Sequence, residues 1–521
     1  MKILSVMVFL KSGLVLSALI YSAIAQSCSN NRVHEVHYRD NSAHILFFLS
    51  IHSNLAGNCQ TIDAKYGMMR LEAFFYALDL VNLDIKSVTN FDVGALIFDT
   101  CGNANQQVIC SVGTTDSVVG IIGPEDSSPV HIASVVYSSF ETKTAVVTYG
   151  GTSDLLQDDQ EYNNLFHTVP GNSDMVDALT DIALHYNWTY VAVLYAAKDS
   201  DSGFSEFKSV ASKKGICIKY SAPVRNNYKD FSFSEVLAPL KKQKKVEVIF
   251  LLLTDVMAAG FFRYISKHSR EFSNLNFLGG QHLGTKEGIL PNDKFMELGV
   301  ITLEVESPHD PIFDNYYLSL TPKNNKRNAF FKPFWEKLFN CSVSEEFCNE
   351  TVSYTKPLKR CNGNETMSEG RGFYEDVPVQ PIINAVMSFG AALKLAGNET
   401  PLHCLSGECF EGSGQYKNPV LDNLKQIRFN TSLGQQLQFN AKNRLRLNYT
   451  VYNTQLWNGN VKFHNVGSWL NIPQGNMKQR LLLNDSKMQW RLKKVPVSRC
   501  GFDCSSGEIR VYDAVYPCCW T

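Results

Sequence analysis

From about residue 44 the chain alternates short apolar runs with amphipathic stretches, and this pattern restricts the fold more than any other feature. Residues 45–51 form an apolar run broken only by Ser50, suited to a strand covered on both faces. Residues 66–82 carry Met68, Leu71, Phe75, Leu78 and Val81 at helical spacing. Strands are expected at 95–98, 118–122 and 145–147, and helices at 127–140 and 175–186. A second series then begins, with strands at 188–195, 217–220, 246–253 and 276–278 and helices at 202–214, 233–242 and 258–267. Repeated strand–helix units specify an α/β fold with mainly parallel sheets. Two consecutive series with no long Pro/Gly/Ser linker between them predict two lobes, each with its own doubly wound sheet. Folds of this class bind ligands at the carboxyl ends of strands.

Elsewhere the texture changes. Residues 323–375 are rich in charge and sequons and hold Cys341, Cys348 and Cys361, as in a disulfide-pinned surface excursion. Residues 381–395 return to helical spacing, and 427–463 alternate like antiparallel strands. The polar tail from Cys500 adds Cys504, Cys518 and Cys519 and reads as the start of a separate cysteine-rich module.

The compartment is legible at the amino terminus. Lys2, a mostly apolar stretch and Ala23-Ile24-Ala25 before Gln26 predict a secretory signal over residues 1–25. Eight Asn-x-Ser/Thr sequons begin at Asn187, Asn340, Asn349, Asn364, Asn398, Asn430, Asn448 and Asn484, which fits a glycosylated extracellular surface. The strongest internal candidate for a membrane span, residues 246–265, carries Glu247, Asp255 and Arg263 and reads better as a buried strand leading into a helix. The expectation is therefore a secreted chain, since no apolar tail for a lipid anchor closes it. In its 521 residues, 49 basic side chains face 50 acidic ones, which argues against a nucleic-acid partner. The 44% hydrophobic content excludes a disordered chain.

Catalytic and metal signatures are weak. The chain has no Gly-x-Ser-x-Gly elbow, Walker A loop or HExxH helix. His34 and His37 are three apart with no third ligand in order, and an exposed amino-terminal segment is the better reading. His282 and His309 stand alone. In an oxidising compartment the terminal cysteines read as disulfides rather than zinc ligands. No enzyme activity, metal or cofactor is expected.

Two loops carry more information. Gly123 to Pro129 follows the strand at 118–122 and opens a helix, where Ser127 offers a hydroxyl and a backbone N–H to a carboxylate. An ordinary N-cap by Asp126 or Ser127 is the plain alternative. Tyr149-Gly150-Gly151-Thr152-Ser153 closes the next strand with glycines and hydroxyls. Together the loops suggest capture of a small anion, most simply an amino-acid carboxylate.

These loops fall within a series of stretches, in order along nearly the whole mature chain: Cys59, residues 66–73, Asp99-Thr100-Cys101, residues 120–128, 149–153, 186–191, 215–218, 361–365, 383–385, and Cys500 through Trp520. The series resembles the extracellular region of class C receptors, most closely metabotropic glutamate receptors. The resemblance implies a bilobed Venus flytrap of the type 1 periplasmic-binding-protein kind, working as a dimer. It places the two-lobed domain over 26–493, with lobe 1 at about 26–170 and 308–455 and lobe 2 at about 171–307 and 456–493. Residues 494–521 would open a cysteine-rich linker. It also implies disulfides joining Cys59 to Cys101, Cys217 to Cys518, Cys341 to Cys361, Cys404 to Cys409 and Cys500 to Cys519. Cys110 is the candidate intersubunit bridge; Cys28, Cys348 and Cys504 stay unassigned. Val136, Tyr137 and Phe140 resemble an apolar dimer face, with burial inside lobe 1 the equal alternative.

In the ligand site, Ser127 and Thr152 match positions that hold the ligand's α-carboxylate and amine, and Arg70 matches the cation that reaches the distal carboxylate of glutamate. A surface ion pair is the plain alternative for Arg70, worth ~0–1 kcal/mol. Gly150, beside Gly151, replaces a hydroxyl or small residue. Asn172 and Gln281 replace the carboxylates that receive the ammonium, with Asp174 or Asp199 as substitutes. No covering tyrosine stands near residues 199–200, and Pro378 replaces a distal lysine. Losing charged partners of this kind costs ~3–5 kcal/mol in buried pairs. Glutamate in the usual mode is therefore not expected, and the partner is another amino acid or small anion. A secreted carrier or decoy and an inert dimerisation module are the rival readings.

Overall fold

The computed structural model describes residues 35–38, 43–55, 58–63, 66–89, 91–101, 103–112, 118–139, 143–157, 161–197, 203–225, 230–243, 245–286, 289–290, 298–307, 310–343, 359–373, 376–397, 409–410, 416–473, 475–501, 504–513 and 518–520. The signal segment, Cys28, His34 and Asp199 lie outside them. The chain divides into two compact units. One takes the residues up to Gly151, Leu156–Thr168 and Pro308–Leu445; the other takes Thr152–Leu155, Val169–Ser307 and the chain from Arg446 onwards.

In the first unit, β1 (Glu35–Tyr38), β2 (Ala43–Leu49), β3 (Val93–Asp99), β4 (Val118–Ile122), β5 (Val146–Thr148) and β6 (Leu165–His167) form one sheet in the order β1-β3-β2-β4-β5-β6. All neighbours are parallel except β1, which runs antiparallel to β3 with Glu35 opposite Phe98. The segment around His37 is thus an edge strand, where the sequence predicts an exposed end. Central strands β3 and β4 are buried at every position, which is why their sequences read as continuous apolar runs.

The Gly67–Ile85 helix covers this sheet, stacking Phe74 on Phe47 with ring centroids 4.3 Å apart. The Val379–Ala396 helix packs against it at Gly390, where a Cβ would meet Val81 Cγ2 at 2.5 Å. This second helix is long and apolar enough to cross a membrane, but 67% of it is buried inside the protein.

In the second unit, β7 (Tyr190–Ala196), β8 (Cys217–Val224), β9 (Val248–Leu252), β10 (Asn276–Gly279), β11 (Ile301–Val305), β12 (Tyr449–Trp457), β13 (Asn460–Trp469) and β14 (Leu481–Leu483) form an eight-stranded sheet. Its order is β8-β7-β9-β10-β11-β12-β13-β14, parallel through β11 and antiparallel beyond it. Asn458 and Gly459, at φ 48° and 80°, make the two-residue turn joining β12 to β13. Because β12 pairs with β11, the chain passes to this unit after Leu445 rather than near residue 455.

The tail, expected as the start of a separate module, groups with the second unit. Trp188 Nε1 donates to the Pro496 carbonyl at 2.8 Å, and Ser498 Oγ to that of Tyr190 at 2.6 Å. Disulfides Cys217–Cys518 and Cys500–Cys519 fasten the end, and Cys518 and Cys519 are buried in the unit's apolar core. Cys341–Cys361 closes a loop of the first unit. Cys504 is free of any disulfide. The expected Cys404 to Cys409 bond involves side chains outside the described residues, as do Cys59 and Cys348. Cys101 and Cys110 are each disulfide-bonded.

Candidate functional site

Strand β4 ends at Ile122, and the chain turns through Gly123 at φ 83° to Asp126, whose extended backbone precedes the Ser127–Ser138 helix. A helix leaves its first N–H groups without intrahelical acceptors and its amino end partially positive. Ser127 occupies the first position of this one and is 3% exposed. The loop after β5 is fitted against it. Thr148 Oγ1 donates to the Pro124 carbonyl at 2.7 Å, and Gly151 N donates to the Glu125 carbonyl at 2.5 Å. A Cβ on Gly150 would lie 1.9 Å from that same Glu125 oxygen, so only glycine allows the two loops this approach. Tyr149 is buried below, its hydroxyl donating to the Phe48 carbonyl at 3.0 Å.

Arg70 joins these loops from the Gly67–Ile85 helix. Its Nη1 donates to Glu125 Oε2 at 2.8 Å, its Nη2 to Asp376 Oδ1 at 3.1 Å and its Nε to Asp376 Oδ2 at 2.5 Å. Only 14% of the Arg70 side chain is exposed, so it is not the surface ion pair offered as its plain alternative. Burial works against its charge, but Asp376 and then Glu125 hold its pKa well above the ordinary value. Burial pushes the Tyr149 hydroxyl well up, and Glu125 adds to this. Asp376 escaped notice in the sequence. It stands two residues before Pro378, where the resemblance calls for a distal lysine, and that offset was its one signal.

In the second unit, Thr152 is buried and its carbonyl accepts from Asn172 N at 2.9 Å. Asn172 opens the Asn172–His185 helix and is fully buried. Asp174 accepts from Gly171 N at 3.3 Å, and Asp154 accepts from Ser173 N at 2.7 Å. Asp174 thus caps its own helix, which engages the carboxylate proposed to replace a missing ammonium partner. Gln281 Oε1 accepts from the Tyr449 hydroxyl at 2.9 Å, while its buried Nε2 has no hydrogen-bond partner among the described residues. Met175 packs against Gly280 and, together with Asn172, against Gly203. Asn172 and Gln281, which stand where carboxylates were expected, are thus neutral amides, while Asp154 and Asp174 accept from backbone N–H groups.

Other expected residues fall in varied settings. Tyr137 is 1% exposed, and its hydroxyl shares a 2.7 Å hydrogen bond with Ser111 Oγ. It belongs to the first unit's core rather than to an outward dimer face; Val136 is partly buried against that core, and Phe140 lies outside the described residues. Of the sequon asparagines, Asn187, Asn340, Asn364, Asn430 and Asn484 are exposed. Asn448 is half-buried and donates to Glu306 Oε2 at 2.7 Å. Asn349 and Asn398 lie outside the described residues.

Two α/β units with mainly parallel sheets, their loops gathered after the strands, define a ligand-binding fold of the periplasmic-binding-protein kind. Residues 69–456 match the receptor family ligand binding region, and the chain belongs to that family. It is a family of ligand-binding receptor regions, of the type found in class C receptors, and not a family of enzymes.

Proposed function

We propose that the chain is the extracellular ligand-binding region of a metabotropic-glutamate-receptor-like class C G-protein-coupled receptor, sensing an amino acid or a similar small molecule. The observation that carries this reading is the buried Ser127 at a helix amino end, with the Gly150–Gly151 loop fitted onto the same turn. First-turn N–H groups, the serine hydroxyl and the positive helix end together suit an α-carboxylate. In the second unit, Thr152, Asn172 and Gln281 offer a hydroxyl and amides to a ligand ammonium instead of carboxylates. Ligand favours the closed form of the two lobes by its differential affinity, and that shift changes how two protomers sit together. Secretion through the segment at 1–25 and sugars on the exposed sequon asparagines belong to the same reading.

Thermal-shift measurement of the purified chain against an amino-acid panel tests it. A binder at 100 times its Kd adds about 2.7 kcal/mol of stability by mass action. At least one amino acid is expected to raise the melting temperature, and Ser127→Ala to abolish the rise. A panel without a hit, or a hit indifferent to Ser127→Ala, overturns the assignment.

A further inference from the structure

Resting on the ligand-binding reading above, the charges around Arg70 bear on which ligand the site accepts. An acidic ligand side chain needs a cation; among the described residues Arg70 stands on the Glu125 side of these loops, while the buried Arg444 reaches the Gly151 carbonyl at 3.5 Å. Its guanidinium already serves two carboxylates, Asp376 through two hydrogen bonds and Glu125 through a third. Within this cluster of described residues one positive charge meets two negative ones, a surplus of −1. The aromatic neighbours do not offset it: the Tyr66 ring lies 5.7 Å below the guanidinium, and Tyr149 is a buried neutral phenol. Asp126, close enough to act on Tyr149, adds further negative charge.

The surplus is built into the candidate site itself. Glu125 stands two residues before Ser127, and its carbonyl is the oxygen that receives Gly151 N and bars any side chain at Gly150. We propose that the Arg70–Glu125–Asp376 cluster makes the site reject acidic ligands, so that its ligand is an amino acid with an uncharged or basic side chain. An incoming carboxylate would have to displace Asp376 from a largely buried pair or sit beside two like charges, and each is costly. Arg70 thereby acts as a charge-cancelled wall of the site, and Asp376 is the residue that sets specificity.

Calorimetry of the purified chain with L-glutamine, L-glutamate and L-lysine tests this, glutamine and glutamate being nearly the same shape. Glutamine or lysine is expected to bind at least ~10-fold more tightly than glutamate, a factor of 10 being 1.4 kcal/mol. Asp376→Asn deletes one negative charge and keeps an acceptor for Arg70; it is expected to narrow the glutamine-to-glutamate ratio by ~10-fold. Glutamate binding as tightly as glutamine to the wild-type chain overturns the proposal while leaving the ligand-binding reading intact. So does a ratio unmoved by Asp376→Asn. If none of the three binds, this inference falls, while the amino-acid panel above decides the ligand-binding reading separately. Should Asp376→Asn fail to fold, the wild-type ratio alone decides.

Discussion

Each unit holds an ion network around a largely buried cation, and the two networks differ in stoichiometry. In the second unit, Lys214 and Arg480 face Asp177 and Asp181, two cations for two carboxylates. Asp181, 1% exposed, also accepts from Trp469 Nε1 at 2.9 Å, and the Arg480 guanidinium lies over the Trp469 ring at 5.4 Å. This network ties the Asn172–His185 helix to Lys214 and to the β13–β14 region, and its charge balances. In the first unit a single cation serves two carboxylates, and one of them belongs to a candidate ligand loop. The contrast separates two uses of buried charge. A balanced network holds elements together, whereas an unbalanced one beside a binding loop projects a field that a ligand must meet.

The sharpest way to break this contrast is to remove Asp181. Asp181→Ala leaves Lys214 and Arg480 with Asp177 alone and Trp469 without its acceptor. Breaking a buried pair costs ~3–5 kcal/mol. Urea unfolding followed by tryptophan fluorescence should show a loss of that size, with ligand preference unchanged in the folded fraction. A loss under ~1 kcal/mol, the range of surface pairs, would mean that the network is no structural clamp.

Gly150→Ala probes the first unit with the next largest effect. The added Cβ must push the Glu125 carbonyl away from its 1.9 Å approach, and overpacking of this kind costs ~1–3 kcal/mol. The displaced loop carries Ser127, so ligand affinity should fall along with stability. Unchanged affinity would show that loop 148–151 does not shape the Ser127 turn.

These two networks also show what the sequence could and could not reveal. Strands β3 and β4 were legible because burial on both faces writes itself as an unbroken apolar run. The helix at Ser127 was legible from its start, since a turn glycine and small hydroxyl residues announce it. The Asn172–His185 helix begins three residues before its apolar periodicity does, because Asp174 caps it through a backbone N–H and not through packing. Edge strand β1 is polar and carried no strand signal. The Arg70–Asp376 pair spans 306 positions, and no local pattern encodes a partner at that distance. For Thr152, Asn172 and Gln281, a ligand-holding polar residue looks in sequence like any other loop polar residue. Their assignment rests on the resemblance, and the structure adds their burial and neighbours.

Proton linkage tests the first unit again, at lower amplitude. His167 is buried, and burial followed by the Arg444 charge holds its pKa well below 6.5. Below pH ~6.5 the unfolded chain takes up a proton on this ring that the folded chain refuses. The unfolded state then binds more protons, so stability falls as pH drops from ~6.5 towards the depressed folded value, by at most ~1.4 kcal/mol per unit. Subtracting the pH profile of His167→Gln from that of the wild type should isolate this arm. Parallel profiles below pH 6.5 would show that the ring is protonated in the fold.

Tyr137→Phe carries the smallest expected effect and bears on whether the Ser127–Ser138 helix spends its aromatic residue inward. Burial pushes the Tyr137 hydroxyl up to about 12, against a lowering by its bond to Ser111. Removing that hydroxyl deletes one buried hydrogen bond, yet Ser111 Oγ keeps the Val108 carbonyl at 2.7 Å as acceptor, so no donor is stranded. The loss should therefore stay near ~1 kcal/mol, the net worth of one intramolecular hydrogen bond. Because Tyr137 is only 1% exposed, sedimentation should show the same assembly state in the variant and the wild type. A change of assembly with no change in stability would return Tyr137 to an interface and remove it from the core, reversing the placement of this helix face.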